Sequence, residues 1–165
     1  MSTVLVIHRA DGGLSVLKPV KPEALDAQAE LAKWHASYGG PEPLGVLVVE
    51  ESTLPAGPVA RLFRNAWRLV DLAVVVSLPH ARAIRLRELE EKKKEVLSKL
   101  RDAIEAAEDR LQPAIVAALK ARRSSLREFD FAPPLAGMET PTEIAEYAGP
   151  DSLTDPAGSG SVVPN

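Results

Sequence analysis

Between Pro79 and Pro113 the chain runs about 33 residues without a glycine or a proline, and this stretch limits the fold more than any other feature. Pro79 suits the first turn of a helix, where its missing N–H goes unused, and the run that follows allows roughly 50 Å of helix at 1.5 Å per residue. Glu88 with Lys92, Glu90 with Lys94 and Glu95 with Lys99 each place an acid four residues before a base, a spacing that supports a helix. Leu89, Leu100 and Leu111 recur every 11 residues, and Lys93, Ile104, Ile115 and Leu126 form a second row at the same spacing. That repeat corresponds to about 3.67 residues per turn, so the stripe stays straight or winds slightly right-handed. A leucine-zipper heptad fits less well. Pro113 removes a backbone donor and crowds the turn before it, which predicts a kink or break at Arg110–Pro113 and a second helical piece to about Leu126.

The first 78 residues read differently. Thr3–His8 is rich in β-branched residues, Asp11-Gly12-Gly13 supplies a turn, and Leu14–Leu17 resumes the apolar pattern, which predicts a hairpin. Pro22, with Glu23 behind it, suits a helix start. Leu31, Trp34, His35 and Tyr38 then fall on one helical face before Gly39-Gly40 ends it, and the helix is expected to pack on the hairpin. Leu44–Val49 reads as a strand buried on both faces and Asp71–Val76 as a further strand. Val59–Leu69 is either a short helix or an irregular segment that plants Phe63 and Trp67 in the core. Aromatic residues make up 4% of the chain, so Trp34, Phe63 and Trp67 are the expected core anchors.

Beyond Arg127 there is no positive charge, and six of the 14 prolines lie in the last 33 residues. Pro133-Pro134, Pro141, Pro150 and Pro156-Ala-Gly-Ser-Gly-Ser161 divide this tail into extended pieces, with at most a helical turn or two near Thr142–Ala148 that Thr142 is placed to cap. The fold class is therefore α+β. A small head spans 1–78, a helical stalk 79–127, and an extended, acidic, proline-rich arm 128–165.

The formal charge of −3 conceals a division along the chain: −1 over 1–77, +5 over 78–127 and −7 over 128–165. The acidic total argues against general nucleic-acid binding. Arg82, Arg85 and Arg87, with Lys120, Arg122, Arg123 and Arg127, are instead expected to meet the acidic arm of the same or a neighbouring copy. The longest strongly apolar run, Leu69–Leu78, is about half of what crosses a bilayer, and the N-terminal residues lack the pattern of a secretory signal. A soluble product made in the cytoplasm is expected, with no membrane partner. The chain has no cysteine. His8, His35 and His80 fall in separate elements without metal-ligand spacing, and neither a phosphate-cradling glycine loop nor a GxSxG elbow occurs. No catalytic residue, cofactor, metal or small-molecule substrate is expected.

Several segments, in order, resemble a family of small tailed-bacteriophage proteins encoded among tail and tail-fibre genes. They are Asp11-Gly12-Gly13 before an apolar strand, Leu54-Pro55, Phe63-Arg64-Asn65-Ala66-Trp67, and Pro79-His-Ala-Arg-Ala-Ile84 opening a charged helix. Ser125-Leu126-Arg127-Glu128 and Thr140-Pro141-Thr142-Glu143-Ile144 follow. The likeness covers about residues 5–153, with the FRNAW segment its most specific piece. Glu128 stands where the family more often has Asp, and the segment after Leu153 has no counterpart. The resemblance implies a phage origin and a role in the tail region.

The expectation that follows is a non-enzymatic virion structural protein of the tail or fibre attachment region. Its partners would be other copies of itself and other tail or fibre proteins. Leu89, Leu100, Ile104, Leu111, Ile115 and Leu126 are the expected interaction residues, and the arm would dock in a groove or along a sheet edge. The alternative is a fibre-assembly chaperone that leaves before the virion is complete.

Overall fold

In the computed structural model, which describes residues 2–19 and 25–153, the chain is α+β: an N-terminal α+β region precedes a long helix that breaks near Pro113 into further helices. The elements are β1 (Thr3–His8), β2 (Leu14–Leu17), α1 (Ala27–Tyr38), β3 (Gly45–Glu50), α2 (Gly57–Leu62), β4 (Trp67–Val70), β5 (Ala73–Val76), α3 (Leu78–Asp109), α4 (Pro113–Glu128), α5 (Ala132–Ala136) and α6 (Pro141–Glu146). Short 3-10 turns occupy Glu51–Thr53, Arg64–Ala66 and Asp151–Leu153. The described residues fall into two compact units, the first comprising 2–19, 25–81 and 139–145 and the second 82–138 with 146–153.

In the first unit β1 is the middle strand of an antiparallel sheet of order β2-β1-β3, and β4 and β5 form a separate hairpin. The expected β1–β2 hairpin turns at Gly12, which has φ +77, while the Asp11 carboxylate accepts from the Gly13 N–H at 2.8 Å. That bond is the main reason the Asp11 carboxyl titrates below its ordinary range. Pairing places Val4 opposite Val49, Val6 opposite Val16 and Leu47, and His8 opposite Leu14, so these residues share one face. The core on that face brings Val6 together with Ala60, Trp67 and Val74, flanked by Leu14, Val16, Leu47, Val49, Leu54 and Leu69. Leu5 and Ile7, on the other face, are also closed to solvent. The strand buried on both faces is thus β1, not Leu44–Val49. That segment forms the edge strand β3, whose Val48 is exposed. An unbroken apolar run does not reveal where in a sheet a strand lies.

Val59–Leu69 proves to be composite, passing from α2 through the Arg64–Ala66 turn into β4. Phe63 and Ala66 are fully buried and Trp67 nearly so, its indole N–H donating to the Ala60 carbonyl at 3.0 Å. The strand expected over Asp71–Val76 begins only at Ala73, because Asp71 and Leu72 form a two-residue turn with φ of 48° and 65°. Positive φ at both positions is the geometry that best matches strand twist, though it usually falls to Asn-Gly.

Helix α1 begins at Ala27, where Asp26 caps the N–H groups of Gln28 and Ala29 at 3.0 Å, and it ends at Gly39 with φ +64. The expected start at Pro22-Glu23 lies outside the described residues. The helix buries no residue fully, and its contacts run to β3. Trp34 is accordingly not seated in the core. It is half-buried and stacked on the exposed Tyr38, with ring centroids 4.7 Å apart. Helical periodicity identified the right face, but that face only partly closes.

Candidate functional site

The second unit is built on an antiparallel pair, α3 and α4. The Lys120 ammonium meets the Glu108 carboxylate at 2.7 Å near the connecting turn, and the Lys93 ammonium donates to the Phe129 carbonyl at 2.8 Å near the other end. Along α3 from Arg82 onward the buried positions are Leu89, Val96, Leu100, Ile104 and Ala107, with Lys93 half-buried among them. Leu126 is the buried residue of α4. Four of the six expected interaction residues, Leu89, Leu100, Ile104 and Leu126, are therefore closed to solvent within a single chain. Leu111 and Ile115 are 87% and 48% exposed. The 11-residue repeat carries the stripe only as far as the helix lasts.

The helix stops before Pro113 acts. The Leu111 N–H donates to the Glu108 carbonyl and the Gln112 N–H to the Ala107 carbonyl, each at 3.0 Å, while Leu111 takes φ +54. These are the two bonds of a Schellman cap, with leucine in the left-handed position that glycine normally fills. Pro113 then opens α4 as its first residue. Beside this turn lies a recess of about 570 Å³, mostly apolar, lined by Glu108, Leu111, Gln112, Pro113, Val116, Ala117 and Lys120.

At the opposite end the arm closes the pair. Phe131 is fully buried, stands edge-on to Phe129 at 5.2 Å, and lies 5.6 Å from the Lys93 ammonium. Leu135 and Leu153 are buried as well. Gly149 has φ +84, and a Cβ there would lie 2.8 Å from Leu153 Cδ2 and 3.2 Å from Phe131 Cε1, so the chain turns tightly over those side chains. Arg82 donates to the Met138 carbonyl, Arg85 to the Tyr147 carbonyl at 2.8 Å, and Arg122 to the Ser152 carbonyl at 3.2 Å. Arg82, Arg85 and Arg122 thus meet the arm of their own chain, as the charge division led one to expect, and these contacts fall on main-chain carbonyls. Arg85 also pairs with Glu88, and Arg87 with Glu91; of the three expected helix pairs, Glu95–Lys99 forms at 2.9 Å.

The arm is extended less continuously than its prolines suggest, carrying α5, α6 and the turn at Asp151–Leu153. The cap of α6 is Thr140 rather than Thr142. The Thr140 hydroxyl accepts from the Glu143 N–H at 3.2 Å, and the Glu143 carboxylate accepts from the N–H groups of Glu139 and Thr140. Those bonds hold the Glu143 carboxyl below its ordinary range. The expected extended stretch from Pro156 onward lies outside the described residues.

In the first unit the FRNAW segment borders a cleft of about 480 Å³ that also includes Lys18, Glu51 and Arg61. Arg64 lies over the Trp67 ring at 5.9 Å, and Lys18 pairs with Glu51. His35 contacts the Gly40 carbonyl at 3.1 Å, His80 contacts Ser77 at 2.8 Å, and His8 ends β1. Among the described residues no group of three or more His, Asp or Glu side chains is placed to hold a metal, and no helix is long and apolar enough to cross a membrane. Compared with protein-family models, with curated proteins and with solved structures, the chain matches none.

Phe131, Leu135, Gly149 and Leu153 escaped the sequence reading because they stand singly in a proline-rich acidic segment without period. Lys93, which the sequence placed only in the second 11-residue row, meets the arm at the Phe129 carbonyl alongside the expected arginines.

Proposed function

We propose that the protein is a non-enzymatic structural component of a tailed-bacteriophage particle, in the tail or fibre attachment region, and that it assembles through the α3–α4 pair. The observation that carries the reading is the open apolar end of that pair, where Leu111 and Ile115 face solvent beside a recess while the rest of the stripe is closed. Contiguous exposed apolar surface of this kind marks contact sites. The ordered likeness from Asp11-Gly12-Gly13 to Thr140-Pro141-Thr142-Glu143-Ile144 supplies the phage context. Its partners are other copies of itself and other tail or fibre proteins, and its place is the virion, after synthesis in the host cytoplasm.

Mass spectrometry of purified particles tests this. The chain should be present at several copies per particle, and its absence from mature particles would overturn the reading. A chain missing from particles yet bound to unassembled fibre protein would support the chaperone role instead.

A further inference from the structure

We propose that the cleft bordered by the Phe63–Trp67 segment binds a small organic anion, a carboxylate or phosphate group carried on an apolar body. The lining divides by chemistry. Val16 and Leu54, which pack on the core of the first unit, form an apolar wall with Pro55, while Lys18, Arg61 and Arg64 bring three cations to the exposed rim against the one carboxylate of Glu51. Lys18 and Glu51 pair with each other, which leaves the two arginines. Among the described residues neither meets a carboxylate, and Arg64 instead lies over the Trp67 ring at 5.9 Å. The arginines at the arm end of the second unit direct their donors to main-chain carbonyls; these two do not. Like charges three residues apart repel each other. An oxyanion shared between them removes that repulsion and matches the planar, forked donors of a guanidinium.

The cleft is also formed before any ligand arrives. Pro55 and Pro58 fix the backbone on either side of Gly57, whose φ of +88 suits glycine alone, and the Trp67 indole is tied to the Ala60 carbonyl at 3.0 Å. Arg64 is therefore stacked on a ring that is itself held, and little ordering remains for binding to impose. A volume of about 480 Å³ exceeds what a bare phosphate fills and falls within the range of small-molecule sites. The charge selects an oxyanion, and the apolar wall selects what carries it.

The cleft lies wholly within the first unit, so this inference is independent of the reading of α3–α4 as the assembling element. The experiment follows the backbone and indole N–H signals of the full chain by nuclear magnetic resonance during titration with phenyl phosphate, benzoate, inorganic phosphate and benzyl alcohol. One or both aromatic anions should saturate the cleft with a dissociation constant of roughly 0.1–1 mM, and the tighter of the two names the oxyanion. The Trp67 indole and Gly57 signals should shift while the Trp34 indole stays still. Inorganic phosphate lacks the apolar body and benzyl alcohol lacks the charge, so each should bind on the order of tenfold more weakly or worse. Arg61→Gln combined with Arg64→Gln, at two exposed positions, should weaken the aromatic anion about tenfold or more. The same loss of charge at the exposed Arg87 and Arg127 of the second unit should leave binding unchanged. Failure of both aromatic anions to saturate by about 10 mM would overturn the inference, and so would equal binding by the doubly substituted chain or by inorganic phosphate.

Discussion

The two ends of the α3–α4 pair draw on the same residue types and are finished in opposite ways. At the arm end Phe131, Leu135 and Leu153 fill the space beside the helices, and three arginines and a lysine hold the returning chain by its carbonyls. At the turn end the apolar row runs out into solvent at Leu111 and Ile115. An amphipathic stripe is therefore not by itself an assembly surface. Its own chain can consume it, and what remains for a partner is the part the chain leaves uncovered. The arm is what makes the difference, because it returns to one end only.

Breaking the closed end should have the largest effect. Leu100 is fully buried, so Leu100→Asp places an unpaired charge in a dry site and should destabilise the second unit by about 4 kcal/mol or more. Chemical denaturation checks this. Leu100 is one of the residues expected to make contacts between chains, and its burial within a single chain assigns the loss to folding, with any fall in association following from it.

Gly149→Ala probes the same end more gently, since it strains a positive φ and drives a methyl toward Leu153 and Phe131. A loss of about 2 kcal/mol should appear in the same measurement.

The two left-handed leucines sharpen the comparison further. Leu72 and Leu111 both hold positive φ and are 72% and 87% exposed, but they belong to different units. Replacing either with glycine should raise stability by roughly 0.5–1 kcal/mol, the relief of strain exceeding the added chain entropy. Thermal melts should show similar gains for both.

The smallest effect concerns acid. The Glu143 carboxyl titrates below its unfolded value, so its contribution to the α6 cap is complete above the ordinary carboxylate range and fades as pH falls through the folded value. The protection of α6 amides, measured relative to their intrinsic exchange rates, should therefore fall as pH drops below the ordinary carboxylate range. Glu143→Gln should remove the acid dependence.

Much of this was legible in the sequence for physical reasons that can be named. Uninterrupted spacing gave α3, and Pro113 marked the break, although the helix itself ends earlier at the cap on Leu111. Glycines with an aspartate gave the first hairpin. The β4–β5 hairpin was missed because its turn is Asp71-Leu72, which carries no glycine or asparagine and sits inside a continuous apolar run. Leu111 and Ile115 were placed on the interaction stripe because the 11-residue repeat continues through them, although the helix that gives the repeat meaning ends at Asp109. That Arg82, Arg85 and Arg122 meet the arm was legible from their charge, but that they meet it at backbone carbonyls was not, because no residue type announces those acceptors. Trp34 shows the reverse error, a large side chain on the correct face of a helix that has little to bury it.

Hydrogen exchange of the full chain at two concentrations tests most directly that its own arm, and not a neighbour, closes the helical stripe. The account predicts that amides between Leu89 and Ala107 exchange slowly in dilute solution and gain no protection at high concentration. Fast exchange between Leu89 and Ala107 in the dilute chain, relieved by concentration, would show that the stripe is a seam between copies and would contradict the account.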